Sequence, residues 1–330
     1  MPRRPVTLRE IARRTGVHES TVSRALNERT RHLVADDVAA RIAATAHELG
    51  YRLNVMASAL RTRRSMAVGV IADRLDDPAM APLLAGIEEC LRTAGYVTIV
   101  AGTGGDPAQL AATLDGLEGR GADGIILLGD SAGDLCPEVP LVSPADIRGA
   151  GPDADEAGIG LAVAHLVRRG HRAIGHLAGP SSNPAARARM AGFRTAMTAA
   201  GLFVTAIEIC AGFSIEAGRR GADMQLARRP HLTALVAADD RLALGALEAL
   251  AALGRRCPVD VSVTGFGDLP LVDRVTPPLT SVHIDRQAAG RIIAELLLAR
   301  IADPAAAPPA AGLTAELRER GSTATARPRG

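Results

Sequence analysis

Thr7-Leu8-Arg9-Glu10-Ile11-Ala12-Arg13-Arg14-Thr15-Gly16-Val17-His18-Glu19-Ser20-Thr21-Val22-Ser23-Arg24-Ala25-Leu26 is the stretch on which the reading of this chain turns. Thr7 precedes a helical pattern and Glu10 follows three residues later, the spacing of a capping box, which satisfies amides that the first helical turn leaves open. Leu8, Ile11 and Ala12 share one face. Gly16 supplies the backbone freedom that a tight turn needs. A second helix, from about His18 to Leu26, turns Val22, Ala25 and Leu26 inward. Two short helices around a glycine form a helix-turn-helix, whose second helix can enter a DNA major groove. A third helix is expected from about Asp36 to Leu49, with Val38, Ile42, Ala46 and Leu49 as its inner stripe and Gly50 as its stop.

Charge follows the same division. Residues 1–64 hold 13 Arg against 6 Asp and Glu, a balance of +7, whereas the rest of the chain holds 25 against 30, a balance of −5. A basic head on an acidic body points to a polyanion as partner of the head. Within the 330 residues, 47% are apolar and only 2% aromatic, so the cores are built from Ala, Val, Leu and Ile. Cys90, Cys136, Cys210 and Cys257 form no CxxC pair, which argues for a reducing, cytoplasmic setting and against a metal or disulfide framework. The N-terminus has no apolar signal core, and no apolar run is long enough to span a membrane.

Beyond the headpiece, Tyr51 to Arg64 has helix-forming Ala and Leu but is too short to be a stable helix alone in water. From Met66, apolar strands alternate with helices: strands at 67–72, 97–101 and 124–128, with helices over about 80–94 and 107–119 between them. A second series has strands at 173–178, 205–210, 233–238 and 261–266, with helices over about 156–169, 184–200, 215–227 and 240–253. Strands separated by helices of this length imply βαβ units and a parallel sheet, which binds ligands outside the carboxyl ends of its strands.

The run Val6-Thr7-Leu8-Arg9-Glu10-Ile11-Ala12, Gly16-Val17 and above all Thr21-Val22-Ser23-Arg24-Ala25-Leu26-Asn27 resembles the headpiece of the lactose repressor (LacI) family, and the likeness continues to Ser322 and Thr323. The resemblance implies an all-α helix-turn-helix headpiece (residues 1–50), a hinge helix and linker (51–65), and an α/β two-lobed, periplasmic-binding-protein-like core with parallel sheets (66–323). The N-lobe would take about 66–152 and 284–308, the C-lobe about 153–283 and 309–323, with 324–330 as a disordered tail. It implies a homodimeric transcriptional regulator, most simply a repressor, that binds a pseudo-palindromic double-stranded DNA operator under control of a small sugar or sugar-acid effector. No cofactor or metal is implied.

Residue by residue, the family's base-reading role falls on Glu19, Ser20 and Arg24. Arg can donate bidentately to guanine, and Glu can accept from a cytosine amino group. Phosphate contacts fall on Thr21 and Ser23, and Thr7, Asn27 and Asn54 complete the DNA-binding set. In the hinge, Ala57 and Leu60 match positions that enter the minor groove, where an apolar wedge kinks the duplex. His18 stands where the family has a capping Ser, Leu53 where it has a hinge Pro, and the loop before the third helix is longer by two residues. In the body, Arg189 in Ala188-Arg189-Met190-Ala191-Gly192-Phe193 matches the effector-binding arginine, Phe213 an aromatic that stacks on a sugar, and Asp239 a ligand-facing acid or amide. Asp268 belongs to Gly265-Phe266-Gly267-Asp268, where Gly267 replaces the first Asp of the family's paired-Asp turn.

Rival readings are weaker. Gly129-Asp130-Ser131-Ala132-Gly133 is a GxSxG, but Pro137 and Pro140 follow where a nucleophile elbow needs a helix. Gly102-Thr103-Gly104-Gly105 lacks the Lys and Ser/Thr of a P-loop, and His165, His171 and His176 do not have metal-ligand spacing. A sugar-binding protein without DNA-dependent regulation is the remaining alternative; the basic headpiece speaks against it.

Overall fold

The computed structural model describes residues 6–26, 30–51, 64–129, 137–147, 151–204, 206–308 and 312–327. Contacts divide the chain into two units, Met1–Ser65 and Met66–Gly330. The first is helical: α1 spans Leu8–Thr15, α2 Glu19–Ala25 and α3 Asp36–Glu48. The Thr7 hydroxyl accepts the Glu10 amide at 3.4 Å to start α1, and Gly16 ends it in the left-handed region at φ 67°. Ile11, Val22 and Ile42 are shut off from solvent and meet in one cluster with Ala12, Ala25, Val34, Ala39 and Ala46. On α3 the buried residue of the first turn is Ala39, and the expected Val38 lies half-buried at the rim. Bulk favours valine in a pattern reading, but a close-packed centre selects the residue that fits. The longer loop before α3 makes a single 3₁₀ turn, Arg31–Leu33, with Arg31 paired to Asp36 at 3.1 Å.

The second unit contains two sheets. Strands β1 (Ala67–Ala72), β2 (Val97–Gly102), β3 (Gly124–Leu128) and β4 (Leu141–Val142) form a parallel sheet in the order β2-β1-β3-β4. Helices α4 (Met80–Thr93) and α5 (Pro107–Glu118) lie between its strands in sequence. The other sheet holds β5 (Ile174–Ala178), β6 (Ile207–Ile209), β7 (Ala234–Ala237), β8 (Ser262–Phe266), β9 (Thr280–His283) and β10 (Glu316–Arg318) in the order β10-β9-β8-β7-β5-β6. Among the described strands of this sheet, only β10 runs antiparallel. Its helices are α6 (Pro152–Arg168), α7 (Pro184–Ala199), α8 (Ile215–Arg228) and α9 (Asp240–Ala252); a last helix, α10 (Arg286–Ala302), returns to the first sheet and packs in the core of β1 and β3. The α6 helix begins four residues before the expected Glu156, because Pro152 is pre-set for a first helical position.

Three helix pairs meet backbone to backbone at glycines. A Cβ on Gly290 of α10 would strike the Leu83 carbonyl of α4, and one on Gly86 the Gln287 carbonyl. Gly245 of α9 faces the Ile215 carbonyl and Arg219 amide of α8, Gly218 faces the Leu242 carbonyl, and Gly192 of α7 faces the Glu156 carbonyl of α6.

The C-terminal segment is pinned rather than free. The Ser322 hydroxyl donates to the Val263 carbonyl at 2.6 Å and accepts the Thr280 amide at 2.8 Å, and His165 Nε2 lies 2.9 Å from the Thr323 hydroxyl. In place of the disordered tail expected from residue 324, the Ala324 amide donates to Ser262 at 3.1 Å and the Ala326 amide to the Arg169 carbonyl at 2.8 Å. Residues 328–330 lie outside the described residues.

Two buried ionisable groups pull stability in opposite directions with pH. His176 on β5 stacks on Phe193 at 4.7 Å and donates from Nδ1 to the Val236 carbonyl at 2.8 Å; burial pushes its pKa down to about 4. Because that value lies below the unfolded one, its contribution is present above about pH 6.5 and is lost as pH falls toward about 4. Burial instead pushes the Asp240 carboxyl up to about 6, despite hydrogen bonds from Ser281 and the Leu269 amide that favour its charged form. Its contribution is present at low pH and is lost as pH rises from about 3.8 through about 6. Removing Asp240 leaves the histidine effect unopposed, and burial lowers His165 and His171 in the same direction as His176. We expect Asp240→Asn to lose about 3 kcal/mol more steeply than the parent between pH 7 and 4 in urea titrations; equal slopes would remove Asp240 from this balance.

Candidate functional site

Two sites emerge, one in each unit. In the headpiece, α2 is anchored by buried Val22 and Ala25, which leaves Glu19, Ser20 and Arg24 exposed and Thr21 and Ser23 half-exposed. His18 takes over the capping function of the serine it replaces: its Nδ1 accepts the Ser20 amide at 3.2 Å and lies 2.8 Å from the Ser20 hydroxyl. The helix start is therefore fixed, with Ser20 held by the cap and Glu19 and Arg24 left to the solvent side. Glu19 is 3.8 Å from Arg9, an exposed pair of little energetic weight. Arg9, Arg13 and Glu19 line an open groove with Thr7, Gly16 and His18, between the start of α1 and the turn. Asn27, Asn54, Ala57 and Leu60, and with them the hinge, lie outside the described residues, as does Ser131 of the GxSxG.

The second site lies at the carboxyl ends of β1, β7 and β8. Arg189, on α7, donates from Nε to Asp155 of α6 at 2.8 Å and from Nη1 to the Ala238 carbonyl at 2.8 Å. Its guanidinium lies 4.0 Å from the centroid of the Phe266 ring. Asp239 caps α9 by accepting the Arg241 amide at 2.8 Å, and the Arg241 side chain returns to it with contacts of 2.8 and 3.0 Å. Arg241 also lies 3.7 Å from Asp77, in the loop after β1, so the pair bridges the two lobes. Phe213 packs against Gly179, with the Arg241 guanidinium 5.8 Å from its ring centroid. Arg189, Phe213 and Asp239 are thus brought to one set of strand ends.

Asp268 is engaged elsewhere. Its carboxylate lies 2.6 Å from Arg320, 3.5 Å from Arg318 and 3.1 Å from His283, which ties the turn after β8 to β9 and β10. The residue sits at φ 50°, a left-handed conformation uncommon for a side chain with a Cβ. Asp268 therefore shapes the end of the sheet rather than joining the Arg189–Asp239 cluster. The sequence reading missed Asp77, Asp155, Arg241 and Arg286. Asp77 had a signal, an acidic loop directly after a strand whose carboxyl end faces a cleft. Asp155 and Arg241 had none, because only the fold brings them to their partners.

Among the described residues, no helix is long and apolar enough to cross a membrane. Residues 7–54 match the profile of the bacterial regulatory proteins of the lacI family, and residues 163–323 match the periplasmic binding protein-like domain. The ribose operon repressor of Escherichia coli is 28% identical over 329 residues, covering 96% of this chain and 99% of that protein. The transcriptional repressor PurR of Haemophilus influenzae is 30% identical over 309 residues, covering 89% and 91%. The Lac repressor dimer, solved bound to operator and the anti-inducer ONPF, superposes with a TM-score of 0.86 at 27% identity, over 97% of this chain and 100% of that one. A headpiece with an exposed recognition helix, a two-lobed α/β core and full-length similarity therefore converge on one conclusion: this chain belongs to the lacI family of bacterial regulatory proteins.

Proposed function

We propose that this protein is a sequence-specific DNA-binding repressor that acts as a homodimer on a pseudo-palindromic operator and responds to a small effector of the sugar or sugar-acid class. The carrying observation is the union, in one chain, of an anchored α2 with Glu19 and Arg24 exposed and a cleft whose strand ends present Arg189, Asp239 and Phe213. We assign residues 1–50 to DNA binding, 51–65 to the hinge and 66–323 to effector control, and the site of action to the cytoplasm. Similarity to the ribose operon repressor and to PurR supports regulation rather than catalysis.

The Arg241–Asp77 pair at 3.7 Å suggests how binding is coupled to DNA. An effector that engages Arg241 or Asp239 alters the balance of charges bridging the lobes, so it binds one lobe arrangement better than the other. Such differential affinity is what shifts a two-state equilibrium, typically by about 1 to 3 kcal/mol. The test of the reading is salt-dependent binding of the full chain to its own promoter region against random DNA of equal length; equal affinity for both ends it. For the hinge, Leu60 is assigned as the minor-groove wedge, flanked by Arg61, Arg63 and Arg64 as phosphate partners. Leu60→Ala is expected to weaken operator binding by roughly tenfold or more in gel-shift titrations; unchanged affinity would make the stretch a plain linker.

A further inference from the structure

Arg286 opens α10 where the chain leaves β9, and its Nε–H has no acceptor among the described residues. That Nε–H is sealed from solvent, while the residue as a whole is half-buried. The charges whose fields reach it are those of Arg189, Asp155, Asp77 and Asp239. Each of these carboxylates is already engaged: Asp155 by Arg189 at 2.8 Å, Asp239 by Arg241 at 2.8 Å, and Asp77 by Arg241 at 3.7 Å. The guanidinium of Arg189 adds like-charge repulsion, and burial itself disfavours the charged form of Arg286.

A half-buried guanidinium whose Nε–H is sealed without an acceptor calls for an explanation, because an unpaired buried donor costs its desolvation. A neutral hydroxyl could accept one of its N–H groups but would leave the charge uncompensated. A carboxylate or phosphate accepts two from the planar fork and supplies an opposite charge. We infer that the effector is an anion, with its carboxylate or phosphate oxygens seated on Arg286 while its hydroxyls face Asp239 and Arg241. This rests on the assignment of the cleft as the effector site and narrows the class from sugars in general to their charged derivatives.

The test compares the full-length protein with Arg286→Met and Arg286→Lys in thermal-shift titrations, using sodium phosphate, sodium acetate and sodium chloride at matched ionic strength. Parallel titrations use D-glucose, D-gluconate and D-glucose 6-phosphate. In the parent, phosphate or acetate should raise Tm by about 3 °C more than chloride, and the arm that responds identifies the oxyanion. Arg286→Met should abolish that difference while raising the Tm of the unliganded protein, since it removes a sealed donor that has no acceptor. Arg286→Lys should retain part of the oxyanion response. An oxyanion effect that is absent from the parent, or equal in Arg286→Met, overturns the inference. Stabilisation by neutral D-glucose alone, with release of operator, overturns it but leaves the effector-controlled reading standing. Oxyanion stabilisation dependent on Arg286 but without any change in operator affinity overturns the assignment of that anion as effector and leaves only an anion-binding arginine.

Discussion

Arg189→Ala is expected to lose about 3 to 5 kcal/mol of folding stability and, through the proposed effector contact, the response to effector. Arg189 is 8% exposed, and its side chain serves three partners at once: the Asp155 carboxylate, the Ala238 carbonyl and the Phe266 ring. Truncation strands the Asp155 carboxylate, whose side chain is only 14% exposed, and leaves the Ala238 carbonyl unanswered. Urea titration measures the loss. The double change Arg189→Met with Asp155→Leu should recover most of it without restoring any effector response, because replacing a whole buried pair costs far less than removing one partner. Parent-like stability in Arg189→Ala would show that Asp155 finds water or another donor.

Gly245→Leu is expected to be worse, preventing the C-lobe from reaching its native packing altogether. The atoms that a side chain there would meet are the Ile215 carbonyl and Arg219 amide, backbone that cannot rotate aside. Even Gly245→Ala should cost about 3 kcal/mol, toward the upper end of overpacking penalties. Gly160 on α6 is the control, since a Cβ there meets nothing within 4 Å. Gly160→Ala should stabilise by about 0.5 to 1 kcal/mol through helix propensity alone. Paired thermal melts decide the matter: equal effects at the two glycines would mean that α8 and α9 can slide apart without loss.

These two sites also mark where sequence reading stops. The headpiece was legible because its determinants are local: Thr7, Glu10 and Gly16 lie within ten residues of the helix they bound. The core strands were legible because strands buried on both faces read as continuous apolar runs, as β3 does from Gly124 to Leu128. The glycines at the helix crossings point the other way, since Gly in a helix reads as a weakness until its neighbour is known. Glu316-Leu317-Arg318 carries no strand signal of its own and becomes β10 only by pairing with β9. In the cleft, resemblance pointed to Arg189, Phe213 and Asp239, which the fold brings to one set of strand ends. Their partners Asp155 and Arg241, and Arg286, needed the fold. Asp268 is held by Arg318 at the end of β10 and by Arg320 just beyond it, 52 positions further on, contacts that no local pattern announces.

The threading of the two lobes bears on synthesis. The headpiece is one contiguous run, so it can fold as soon as it leaves the ribosome. The N-lobe lacks a core helix until α10 has been made, and the C-lobe lacks an edge strand and the Ser322 anchor until residues 316–322 have been made. DNA-reading competence therefore arises early in translation and the regulatory half late. A chain interrupted between them would carry the headpiece without its control, a hazard that falls to quality-control proteases rather than to the fold itself.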